Sequence, residues 1–264
     1  MRKKILVSAI VVVMILILAV SPAGAITFGE LDGDRHPNVG ALVVFNEEMG
    51  VFRSICSGTL VSETVFLTAA HCVMDLPASG VDPDEVWVTF DPVFEQSSIL
   101  YPATYYSYPG SWHDMSDPKD LAVLVLDEPI NNITPALLPP EGLLDQLKDA
   151  GSLKDQKFVA VGYGRVRDDK TGGFHNLYRD PKRRFVEQTF LALTQSWLKI
   201  SMNPSTGDGG TCYGDSGGPH FLGDTSMVMA VTVTGDAPCR ATDVDYRLDT
   251  PVARAFLGQF LDLP

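Results

Sequence analysis

Beyond its first 25 residues the chain runs as short apolar stretches separated by Gly, Pro, Asp and Asn. The clearest occupy residues 41–45, 65–69, 86–90, 121–126, 158–162 and 228–233. They are short, and several are rich in β-branched or aromatic residues, which predicts strands rather than helices. No proline interrupts them, as central strands require. Their recurrence with turn signals between them predicts an all-β barrel or sandwich. One helix is predicted, at the C-terminal end. Asp249 or Thr250 caps it, Pro251 suits its first turn, and Phe256 and Phe260 fall on one face. Residues 188–198 fit either strand or helix. Pro139-Pro140 ahead of a polar stretch marks a crossover between two halves near residues 130–150, and residues 168–176 read as a surface loop.

Residues 1–25 read as a leader and not as part of the fold. Arg2, Lys3 and Lys4 precede a nearly continuous apolar run from Ile5 to Val20, then Pro22 and an Ala-x-Ala pattern ending at Ala25. That is the layout of a secretory signal peptide cleaved after Ala25. The apolar run falls short of the ~20 residues of a spanning helix, and no later segment is apolar enough to cross a membrane. The formal charge of −13 becomes −16 once the three basic residues of the leader are lost. A chain this acidic repels nucleic acid and anionic membranes. Asn132-Ile133-Thr134 is a glycosylation sequon by pattern.

Four cysteines, Cys56, Cys72, Cys212 and Cys239, form an even set in an exported chain. Four permit three disulfide connectivities. None lies in a C-x-x-C pair, which argues against zinc.

The chemistry concentrates in three blocks. Gly214-Asp215-Ser216-Gly217-Gly218-Pro219 places a serine among glycines that let the backbone turn sharply and aim amides at a developing oxyanion. Gly-x-Ser-x-Gly alone also fits the nucleophile elbow of α/β-hydrolases, but that elbow is followed by its acid and then its histidine. Here only His220 follows, too close to swing round as a base. Upstream, Thr68-Ala69-Ala70-His71-Cys72 sets a histidine after an apolar strand, and Asp120-Leu121-Ala122 sets an acid at the start of another. A buried carboxylate needs a partner, and an imidazole nitrogen is a good one. Asp114 and Asp117 are nearby acids without a following strand.

These blocks, in the order His, Asp, Ser, resemble the signature segments of the trypsin-like serine proteases, and the resemblance runs from about Ile26 to the C-terminus. It implies two antiparallel six-stranded β-barrels with a C-terminal helix, and a secreted, monomeric endopeptidase acting on proteins or peptides without metal or organic cofactor. It assigns Ser216 as nucleophile, His71 as general base and Asp120 as its orienting acid, with the amides of Gly214 and Ser216 as oxyanion hole. It implies disulfides Cys56–Cys72 and Cys212–Cys239. It pairs the mature N-terminal amine of Ile26 with Asp215, and it places Gly210, Thr211 and Gly235 in the substrate pocket. An open floor at Gly210 favours an apolar P1 side chain. Asp243 or Asp245, if directed inward, would select Arg or Lys instead. The rival reading is a catalytically silent binding protein on the same scaffold.

Overall fold

A computed structural model describes residues 26–114, 116–167 and 177–264. The leader at 1–25 and the loop at 168–176 lie outside the described residues. Six strands form the first barrel: β2 (Val39–Asn46), β3 (Val51–Leu60), β4 (Val65–Thr68), β5 (Val86–Thr89), β6 (Tyr101–Ser107) and β7 (Ala122–Leu126). They close in the order β2-β3-β4-β7-β6-β5. The second barrel uses β8 (Lys157–Gly162), β11 (Arg184–Leu193), β12 (Trp197–Ser201), β13 (Pro219–Leu222), β14 (Val228–Gly235) and β15 (Thr242–Arg247). It closes because β11 pairs with β8 through one stretch and with β12 through another. The all-β double barrel is the architecture expected, and it excludes the α/β-hydrolase sheet. Residues 188–198 resolve as strand, turn and strand across β11 and β12.

Two short pieces complete the sheets: β1 (Glu30–Leu31) adds to the edge of β11, and β9 (Arg165–Val166) pairs with β10 (Tyr178–Arg179). The crossover holds a helix that the sequence pattern does not predict, α1 (Leu143–Asp149). The C-terminal helix α2 (Pro251–Leu257) is capped by Thr250, whose Oγ1 accepts from the Ala253 amide. Asp249, the other candidate cap, serves α1 instead, accepting from the Leu144 amide at 2.8 Å. Among the described residues no helix is long and apolar enough to cross a membrane.

Each terminus packs on the opposite half. The N-terminal segment lies on the second barrel through β1 and through a two-way backbone pair between Thr27 and Gly210. α2 and the residues after it reach back to the first barrel, where Phe256 meets Tyr108 and Phe260 meets Tyr106.

The barrels join at a buried guanidinium. Arg183 Nε donates to Asp32 Oδ2 at 2.8 Å, and Nη2 donates to Gly33 O. Nη1 donates to Val39 O and Phe90 O of the first barrel, both at 2.9 Å, and contacts Tyr163 Oη at 3.3 Å. Arg183 and Asp32 are almost wholly buried. Without Arg183 the buried Asp32 keeps only His36, through its ring nitrogen at 2.5 Å and its backbone amide at 3.1 Å, and breaking such a buried pair costs up to about 3–5 kcal/mol. Arg183→Met is therefore expected to lose about that much in urea unfolding at neutral pH. The double variant Arg183→Met/Asp32→Asn, which leaves no stranded charge, recovers part of the loss. A single variant as stable as the parent would remove Arg183 from this role.

Candidate active site

The end of β4 and the start of β7 lie side by side, with Thr68 opposite Ala122. The first carries the chain into His71 and the second follows Asp120, so strand register sets the two side chains together. Asp120 is fully buried and binds His71 twice. Oδ1 accepts the His71 backbone amide at 2.8 Å, and Oδ2 lies 2.7 Å from Nδ1. Two contacts from one carboxylate fix both the backbone and the ring plane, and the edge of Trp112 closes over the imidazole with centroids 6.3 Å apart. The neighbouring acids are engaged elsewhere. Asp117 accepts the Tyr246 hydroxyl at 2.7 Å, and Asp114 caps its own turn through Ser116.

Ser216 sits on a loop pinned by Ser57 of β3. The Ser57 amide donates to Ser216 O, and its hydroxyl donates to Gly214 O, both at 2.9 Å. Gly217 has φ +77°, and a Cβ there would stand 2.1 Å from Thr68 Oγ1, so the turn that presents Ser216 admits only glycine. Among the described residues, the amides of Gly214 and Ser216 donate to no protein group. His71, Gly214 and Ser216 line one cleft between the barrels.

The disulfides join Cys56 to Cys72 and Cys212 to Cys239, and no described cysteine is free. The first ties β3 to the turn carrying His71. The second closes the wall of a cavity of about 120 Å³ beside Ser216, lined also by Thr211, Thr232, Val233, Gly235 and Asp236. Thr211 and Gly235 thus stand where expected. Gly210 does not, because the Met202 side chain lies against its Cα, where a Cβ would meet Met202 Sδ at 2.1 Å. Gly210 is covered by a packed thioether and does not line the cavity.

Beneath the cavity the second barrel is polar. Asp243 and Asp245 both point inward and are fully buried. The Thr211 hydroxyl donates to Asp243 at 2.7 Å, and the Gln188 amide donates at 3.0 Å. His220 Nε2 lies 2.9 Å from Asp245 Oδ1, 3.0 Å from Thr232 Oγ1 and 3.7 Å from Asp243 Oδ2. Burial, and then the neighbouring Asp243, push the Asp245 carboxyl well above its ordinary range. Burial also works against the His220 cation, but Asp245, Asp243 and Asp215 together outweigh it and raise its pKa. Asp215 is buried between two backbone donors, Gly164 N at 2.7 Å and Cys212 N at 2.9 Å. Burial pushes it up to about 7, with Asp243 adding to the shift.

A raised histidine pKa means that the stabilisation His220 gives its carboxylates is complete below its unfolded pKa near 6.5 and fades as pH rises through the folded value. His220→Gln is expected to destabilise the protein by about 3–5 kcal/mol at pH 5–6. The gap from the parent narrows in alkaline buffer, read by urea unfolding across pH. A gap that is constant with pH would mean that His220 packs there as a neutral ring.

The sequence pattern of the trypsin family matches residues 33–257. Among solved structures, HL collagenase superposes with a TM-score of 0.63 over 88% of this chain and 97% of its own, at 17% identity. At that identity the likeness is one of fold. The double barrel and the family match over most of the chain agree: the protein belongs to the trypsin family of serine proteases.

Proposed function

We propose that the chain is a secreted serine endopeptidase with Ser216 as nucleophile. The observation that carries this reading is the doubly bonded His71–Asp120 pair on the cleft that Ser216 also lines. With Nδ1 committed to Asp120, Nε2 is the nitrogen left to take the Ser216 proton. Ser216 Oγ attacks the scissile carbonyl, and the amides of Gly214 and Ser216 stabilise the oxyanion, a contribution of roughly 3 kcal/mol per donor. His71 then passes its proton to the leaving amine. Water repeats the sequence on the acyl-enzyme. Asp120 holds the tautomer and stabilises the imidazolium.

The mature chain begins at Ile26, whose amine pairs with Asp215. Supporting this, Ile26 is 1% exposed, its neighbour Thr27 is strand-paired to Gly210, and Asp215 has no cation within 4 Å among the described residues. For P1 the reading is Arg or Lys. Thr211, whose hydroxyl donates to the buried Asp243, lines the cavity, and Asp236 lines the same wall.

Cleavage-site mapping on a denatured protein mixture tests the activity. The Ile26 chain is expected to cut after Arg and Lys, and Ser216→Ala to lose at least about a thousandfold. Cuts after apolar residues would shift recognition to Val233 and the disulfide wall. No cuts in either sample would favour a silent binding scaffold.

The activation pair has its own test, a chain carrying one extra residue before Ile26. Unpaired Asp215 titrates near 7 when folded against 3.8 unfolded, so the extended chain is expected to lose stability as pH rises between those values. The Ile26 chain should lose less stability over that range and be far more active. Equal activity in the two would sink the pairing.

A further inference from the structure

The cleft continues past Ser216, away from the P1 cavity, into a space of about 440 Å³ lined by Cys56, His71, Gly164, Arg165 and Arg179. The two spaces share Ser216, Tyr213 and Val233. A peptide whose P1 side chain fills the first must lay its leaving-group residues along the second.

That second wall carries an electrostatic conflict. Arg165 on β9 and Arg179 on β10 are direct cross-strand partners. Residues so placed hold their Cβ atoms about 5 Å apart, and like charges there are destabilising. Arg53 of β3 stands close enough to add to the effect. Partial burial, then Arg53 and Arg165, lower the Arg179 pKa. Among the described residues no carboxylate comes within 4.0 Å of any of the three. Arg179 finds only Ser54 O at 3.5 Å, and Arg53 only Met49 Sδ at 4.0 Å. A chain with 33 acidic and 20 basic residues has carboxylates enough to pair its arginines, yet Arg165 and Arg179 face one another on the cleft that Ser216 lines.

We propose that Arg165 and Arg179, backed by Arg53, form an anion-recognising subsite for Asp or Glu at the first or second position beyond the scissile bond. The substrate carboxylate supplies the counter-charge that the described residues leave out, and the guanidinium fork suits it in bidentate geometry. The proposal rests on the endopeptidase reading for its orientation and on the arginines for its chemistry.

The experiment uses peptides with a common Arg at P1 and either Glu or Lys at both following positions. The Ile26 chain is expected to cut the Glu peptide with a kcat/KM at least about tenfold above the Lys peptide, with the ratio falling as salt rises. In Arg165→Gln/Arg179→Gln the ratio collapses toward unity. That variant is expected to unfold at an equal or higher temperature than the parent, because the replaced pair repels. A marked loss of stability would make the arginines structural and overturn the subsite. A Glu preference that survives the double variant also overturns it.

Binding of the same two peptides to Ser216→Ala, by calorimetry, needs no turnover. Tighter binding of the Glu peptide with no cleavage by the parent would keep the subsite and discard the protease reading. Equal binding discards the subsite whatever the activity. Inorganic sulfate should compete with the Glu peptide alone; sulfate that binds without displacing it marks an adventitious anion site and overturns the proposal.

Discussion

The molecule depends on how one buried cation is satisfied. Arg183 belongs to the second barrel, yet its guanidinium is consumed by the N-terminal segment at Asp32 and Gly33 and by the first barrel at Val39 and Phe90. The cleft that holds His71, Asp120 and Ser216 is the seam between the barrels, so any play in the seam is play in the site. Ser57 repeats the device closer in, fastening a first-barrel strand to both carbonyls that flank Asp215. The two pins meet at Tyr163, whose hydroxyl contacts Arg183 and whose amide donates to Ser57 Oγ, and neither is a disulfide.

The interior of the second barrel is unusually charged for a core. Asp215, Asp243, Asp245 and His220 are all fully buried within it. Buried carboxylates persist only where donors or cations meet them. Here the donors come from the elements that line the cavity beside Ser216: Thr211 to Asp243, Cys212 to Asp215, Thr232 beside His220. The walls of the cavity are therefore held from behind by directional contacts, where an apolar core would let them slide.

Legibility in the sequence followed locality. The three chemical blocks could be read because each packs its reacting residue with the strand or glycines that place it. The six apolar runs could be read because burial on strands selects them. β15 could not, because its inward positions are Asp243 and Asp245, which makes a buried strand look like a polar loop. α1 escaped because it is short, starts after a left-handed Gly142, and takes its cap from Asp249, 105 residues away. Gly210 misled because the side chain that covers it, Met202, arrives from the end of another strand. Arg183 carries no local mark, since its partners in the N-terminal segment and the first barrel lie 93 to 151 residues distant.

The exchange of termini between the halves bears on how the chain is made. A polypeptide emerges from its N-terminus, and halves of this size tend to fold as they appear. The first barrel would emerge with Tyr106 and Tyr108 uncovered, because Phe256 and Phe260 are made only after the strands of the second barrel. The segment at Thr27 and Glu30 would wait equally long for Gly210 and β11. Neither half is finished until the other is, so the cleft between them closes as a final event of assembly. A cleft built in this order does not exist until both halves do.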